Sequence, residues 1–219
     1  LQATQYAFPC LELDYDDIQA TFAGVRPVVD TGKSNPSKES REHVLWYENG
    51  LLTITGGKLT TFRLMAHDAL RRVRRYLPET KPHTRNSRVL DEPPADAPMP
   101  AHLTPAARLR LLGRYGQDTI HLLSVSPPDE FTPVANSSTL WAELRWAARA
   151  EAVVHLDDLL LRRVRLGLLL PRGGIDCMER IRQLVQPELG WGDSRWEIEA
   201  KTYTNLWNQC YYIHPLISS

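Results

Sequence analysis

Several signatures that assign function outright are missing from this chain. It has no G-x-G-x-x-G fingerprint, no Walker sequence and no G-x-S-x-G elbow. That leaves no warrant for nucleoside-triphosphate chemistry or serine hydrolysis, and none for a complete dinucleotide-binding domain. Cysteine is scarce: Cys10, Cys177 and Cys210 are scattered without C-x-x-C spacing, which argues against a disulfide framework and fits free thiols in a reducing compartment. The seven histidines show no H-x-H, H-E-x-x-H or cysteine-paired spacing, so no metal site is expected. Lys+Arg and Asp+Glu are 26 each, for zero net charge, which removes any global electrostatic case for nucleic acid. No apolar run reaches the roughly 18 residues of a membrane span, and no signal peptide is expected from the opening residues. What is present is ordinary globular composition, 42% hydrophobic and 24% charged, enough for one or two cores.

The most structured stretch is Leu51–Leu77, LLTITGGKLTTFRLMAHDALRRVRRYL. Leu51, Leu52 and Ile54, with β-branched Thr53 and Thr55, predict a short buried strand ended by Gly56 and Gly57. Beyond the turn Phe62, Met65/Ala66, Ala69, Val73 and Leu77 recur every three or four residues, the spacing of one helix face over about four turns. The helix is expected to begin near Thr60, with Lys58 at its mouth. A helix N-terminus carries unpaired N–H groups and roughly half a positive charge, so it favours an anion. The glycines would let such a group approach the backbone, and Lys58 adds a full charge. A phosphate or the electron-rich edge of a reduced flavin suits this arrangement; so does an ordinary strand–turn–helix with a solvated lysine.

Upstream, His43–Glu48, Asn49-Gly50 and Leu51–Thr55 predict a hairpin with a type I′ turn. Pairing would bring Arg41 and Lys58 to one end of the sheet, where two cations call for an anion. Arg26 precedes Pro27, whose ring biases it to an extended conformation, and such an arginine can clamp an oxyanion bidentately or sit in a surface ion pair.

TFAGVRP (Thr21–Pro27), SREHV (Ser40–Val44) and ITGGKLTTFR (Ile54–Arg63) follow one another in that order. In this the chain resembles the C-terminal part of the FAD-dependent, quinone-linked glycerol-3-phosphate dehydrogenases. ITGGKLTTFR is the most specific element, and the likeness continues into the helical region after residue 104. The family opens with the dinucleotide fingerprint absent here and the first residue is Leu, so the expectation is a fragment that is inactive by itself. The resemblance implies oxidation of glycerol 3-phosphate to dihydroxyacetone phosphate, with FAD accepting hydride and a membrane quinone reoxidising it. It makes Arg26 and Arg41 substrate ligands, Arg41 chiefly through phosphate and Arg26 near the reacting hydroxyl. Gly56, Gly57, Lys58, Leu59 and Thr60 would face the flavin, with Lys58 also a candidate to assist proton removal. It also implies an N-terminal FAD-binding half as partner, and a cytoplasmic protein at the inner face of the cell membrane.

Elsewhere, Phe8–Leu13 predicts a strand with Pro9 at its edge, Asp16-Asp17 would cap a short helix over Ile18–Phe22, and Ala23–Val29 reads as another strand. Pro78–Pro100 is proline-rich and poor in apolar residues, the composition of a linker. Beyond it the pattern predicts six helices: Thr104-Pro105 to Gly116, Asp118–Val125, Ser138–Val153, Asp157/Asp158 to Leu168, one from Cys177/Met178 broken by Pro187, and a last one opened by a Ser194-x-x-Glu197 capping box. The fold class expected is α+β, mostly helical: residues 1–78 from an FAD/substrate domain, a linker over 79–103 and an all-α domain over 104–219. The helical domain resembles an appended module, with dimerisation and peripheral membrane contact open as its roles. The Arg71–Arg75 run and the Asp157-Asp158/Arg162-Arg163 spacing read as a solvated face and helix ion pairs. Two other classes compete: a non-catalytic helical interaction or membrane-contact module, and a related FAD-dependent amine or hydroxy-acid oxidase.

Overall fold

The first regular element is a helix, α1 (Gln2–Ala7), and the edge strand expected at Phe8–Leu13 does not form. Phe8 N–H closes the helix on the Thr4 carbonyl (2.8 Å), and Leu11 N–H turns back to Phe8. Pro9 has no N–H to give a ladder. Ile18–Phe22 is not helical either. The aspartates bond their own turn instead, Asp17 accepting from Asp14 N–H and Asp14 from Asp16 N–H, both at 2.8 Å, the local alternative to a helix cap. The computed structural model describes residues 1–25, 42–79, 88 and 90–213. No strand forms at 23–25, and the rest of the expected Ala23–Val29 strand lies outside the described residues. The chain divides into one unit of Leu1–Phe22 with Val89–Ser219, and another of Ala23–Arg88.

In the Ala23–Arg88 unit, β1 (His43–Glu48) and β2 (Leu51–Gly56) form the expected hairpin, with His43 opposite Gly56 and Tyr47 opposite Leu52. Asn49 and Gly50 both take positive φ (50° and 83°), as a type I′ turn requires. A tight turn at Leu59–Thr61 leads into α2 (Phe62–Val73), which closes through another at Arg74–Tyr76. His43, Leu45 and Tyr47 share one face of β1. His43 meets Asp68 at 3.0 Å, and the Tyr47 and Tyr76 rings stack at 5.7 Å. Four strand residues span about 13 Å and eight helical residues about 12 Å, so α2 runs alongside β1 in the same direction. The expected burial of β2 is not found: no residue of β1, β2 or α2 is buried, and Leu51 on the other face is 68% exposed.

The helical unit begins with α3 (Pro105–Tyr115), capped by Thr104 Oγ1, which accepts from Ala107 N–H (3.2 Å), and ended by Gly116. α4 (Thr119–Val125) stops before Pro127-Pro128. α5 (Trp141–Ala150) is shorter than its pattern, because Val134 N–H bonds Thr139 O and Trp141 N–H bonds Thr132 O, tying residues 132–141 into a loop. The helix expected from Asp157 to Leu168 breaks into a π-helical turn at Asp158–Arg163, a left-handed Arg165 (φ 59°) and α6 (Leu166–Leu169). The wide turn buries Leu159, Leu160 and Leu161 together, which one face of a regular helix cannot do. α7 (Met178–Leu189) contains Pro187 instead of being broken by it. The proline falls in the last turn, where Gly190 and Trp191 amides satisfy the Pro187 and Gln186 carbonyls. α8 (Asp193–Cys210) starts after Gly192. The Ser194–Glu197 box is therefore absent, and Glu197 pairs with Arg182 at 3.0 Å.

Two apolar clusters result. Trp141, Leu144, Leu160, Ile181, Trp196, Tyr203 and Trp207 belong to the larger one, and Leu103, Leu111, Leu122 and Phe131 to the smaller.

Candidate functional site

The strand-to-helix turn is built from two left-handed residues, Gly56 (φ 76°) and Gly57 (φ 78°), then an extended Lys58 (φ −134°, ψ 153°). A Cβ on Gly56 would stand 2.6 Å from the Glu42 carbonyl oxygen, and one on Gly57 2.5 Å from Met65 Sδ. The space beside both glycines is thus filled by the chain's own atoms. Both glycines are required by the turn itself.

The donors remain. Thr61 Oγ1 accepts from Lys58 N–H (3.1 Å) and donates to Lys58 O (2.9 Å), which also accepts from Thr61 N–H (2.9 Å). These bonds close the turn and leave the Leu59 and Thr60 amides with no acceptor among the described residues. Lys58 is exposed, and its ammonium has no ion-pair partner among the described residues. One cation and two open amides at a helix start are a donor set for an anionic or electron-rich group. By that chemistry the residues fit the edge of a flavin. Arg26 and Arg41 lie outside the described residues.

Sequence reading did not single out His43 and Asp68. His43 Nε2 donates to Asp68 Oδ2 at 3.0 Å, their side chains are 16% and 26% exposed, and Arg71 lies 3.7 Å from the other carboxylate oxygen. The pair joins positions 25 residues apart, and only the phases of strand and helix together bring them face to face. At the far end Arg75 lies over the Tyr76 ring (4.6 Å). The two neighbouring phenols shift each other, raising the pKa of Tyr47 and lowering that of Tyr76.

In the helical unit several charges are paired within the fold. Glu143 is fully buried, with its carboxylate accepting from Arg110, Tyr115 OH (2.8 Å) and Leu140 N–H (2.8 Å). Arg162 pairs with Asp157 and Asp158, as the spacing suggested. A cleft of about 430 Å³ is lined by Gln19, Asn136, Leu169, Asp176 and Cys177. Burial, then the Asp176 carboxylate, push the Cys177 thiol above its ordinary value, away from a reactive thiolate.

Known proteins are similar to this chain. A glycerol-3-phosphate dehydrogenase 2 of Mycobacterium tuberculosis (strain ATCC 25618 / H37Rv) is 32% identical over 205 residues, 87% of this chain and 35% of its own length. A glycerol-3-phosphate dehydrogenase of Mycobacterium leprae (strain TN) is 31% identical over 206 residues, again 87% and 35%. The aerobic glycerol-3-phosphate dehydrogenase of Staphylococcus aureus (strain USA300) is 27% identical over 183 residues, 74% of this chain and 33% of its own length. The chain thus spans about a third of the relatives it matches. A model of the family described as the C-terminal domain of alpha-glycerophosphate oxidase matches residues 54–196, from the middle of β2 into α8. That match takes in the Gly56–Thr61 turn together with the helical unit as far as Trp196, and the chain belongs to this family.

Proposed function

We propose that this chain forms one wall of the active site of an FAD-dependent glycerol-3-phosphate dehydrogenase, with Lys58 and the Leu59 and Thr60 amides at the flavin. The observation that carries the proposal is the donor-lined turn at Gly56–Thr61 in a chain of this family. Bound there, FAD would supply the two-electron oxidation of the secondary alcohol of glycerol 3-phosphate. The protein's part would be electrostatic: the Lys58 cation and the Leu59 and Thr60 amides would hold the flavin and favour its reduced, more negative form. Arg41 holds the substrate phosphate and Arg26 the region of the reacting hydroxyl, as guanidinium geometry suits. We assign a membrane quinone as acceptor, in keeping with relatives named dehydrogenases, and with it a position at the inner face of the cell membrane. Among the described residues no helix is long and apolar enough to cross a membrane.

The test is substrate-dependent bleaching of flavin absorbance in the full-length protein. Arg41→Ala should raise the glycerol 3-phosphate KM by about a hundredfold, the loss of a charge-assisted phosphate contact. Lys58→Ala should slow bleaching at saturating substrate. Normal kinetics in both variants would remove the site assignment. Oxygen reoxidising the protein as fast as a quinone analogue would remove the acceptor.

A further inference from the structure

We infer that His43 and Asp68 are a positioning pair that aims the Lys58 turn, an inference resting on the reading of that turn given above. Between β2 and α2 the chain passes through Gly56 and Gly57, both left-handed, and a two-glycine joint by itself leaves the helix direction loose. Contacts between hairpin and helix at two ends set that direction. The Tyr47–Tyr76 stack lies at the distant end, where Tyr76 is 57% exposed. The His43–Asp68 hydrogen bond lies beside the joint: His43 pairs across the sheet with Gly56, and its Cβ would be 3.4 Å from a Cβ on Gly57. Its two side chains are mostly shielded, which protects the bond from competing water. Lys58 stands on the helix side of the joint. Any change in helix angle therefore re-aims its ammonium and the Leu59 and Thr60 amides together. His43 and Asp68 act through these groups and touch neither substrate nor flavin.

The experiment compares full-length flavoprotein carrying His43→Ala, His43→Gln, Lys58→Ala, and His43→Ala with Lys58→Ala. Each is read for flavin midpoint potential, rate of flavin reduction by glycerol 3-phosphate, and melting temperature. Gln presents an amide N–H near the position of Nε2, so it keeps the bond to Asp68. His43→Ala is expected to weaken the preference for reduced flavin about tenfold, about 30 mV for a two-electron couple. It should slow reduction at saturating substrate by a similar factor, with KM within about twofold. His43→Gln should restore most of both, and His43→Ala should add less once Lys58 is gone, since only the Leu59 and Thr60 amides are then left to re-aim. If His43→Ala does not fold, Asp68→Ala, which also removes the bond, replaces it with the same expected shift. An unchanged potential in His43→Ala beside a shifted one in Lys58→Ala overturns the pair, as does failed rescue by Gln in a protein of normal melting temperature. An unchanged potential in Lys58→Ala overturns the reading of the turn itself.

Discussion

Gly56 and Gly57 do different things although they are adjacent and share one conformation. Each holds a left-handed φ, which costs any side chain about 1–2 kcal/mol. A Cβ at Gly56 would also meet the Glu42 carbonyl, which is backbone and cannot move aside, whereas at Gly57 it would meet the flexible Met65 thioether. Gly56→Ala should therefore lower the melting temperature of the full-length protein more than Gly57→Ala, and only the Gly57→Ala loss should be partly recovered by adding Met65→Ala. Equal losses, or no recovery, would contradict the contacts. The need for glycine at these positions was legible in the sequence; the reason was not. Which atoms occupy the Cβ positions depends on where β1 and α2 lie, and no local pattern records that. His43 and Asp68 stayed unread for the same cause.

At the scale of elements, α8 docks by buried hydrogen bonds: Tyr203 OH donates to Gly173 O (2.6 Å), Trp207 Nε1 donates to Gly167 O (2.7 Å), and Glu199 accepts from Leu156 N–H (3.1 Å). Both rings lie so close to those glycines that a Cβ on Gly167 would be 2.5 Å from the Tyr203 oxygen, and one on Gly173 2.7 Å from Trp207. Burial pushes the Tyr203 phenol well above its ordinary value, and burial followed by the Glu143 charge does the same to Tyr115. An unfolded phenol loses its proton near pH 10 while these two keep theirs. The folded state then binds more protons, so stability must fall as pH rises above about 10 and is fully present below it. Denaturation of the protein between pH 8 and 11 should show that fall, smaller in Tyr203→Phe; a flat profile would contradict the burial. The stripe of Trp196, Ala200, Tyr203 and Trp207 was readable from helical spacing. The π-helical turn at Asp158–Arg163 was not, because the three leucines enter the core only through a backbone widened to meet its neighbours.

For the whole molecule, every fully buried apolar side chain among the described residues lies between Leu103 and Trp207. Ordering a residue costs about 1–2 kcal/mol of conformational entropy, and the Ala23–Arg88 unit has no buried core among its described residues to offset it. The Val89–Ser219 segment produced with Leu1–Phe22 should unfold in one cooperative transition. Residues 23–88 alone should show weak helical circular dichroism and no transition. A cooperative melt of the shorter piece would contradict the assignment. Leu1–Phe22 belongs with the helices: Thr21 N–H bonds Tyr211 O at 2.8 Å. Composition gave no hint of that, since one backbone bond between distant residues leaves no mark in either segment.

The sequence by itself determined the hairpin, the glycine joint, the Lys58-headed helix and the caps at Thr104 and Gly116, since each rests on φ, ψ and hydrogen bonds within a few residues. Only the tertiary structure decided that Pro187 stays inside α7, that Glu197 serves an ion pair and not a cap, and that His43 meets Asp68. Those outcomes depend on which groups remain unsatisfied once distant segments pack, and that energy belongs to pairs of elements, not to either one read alone.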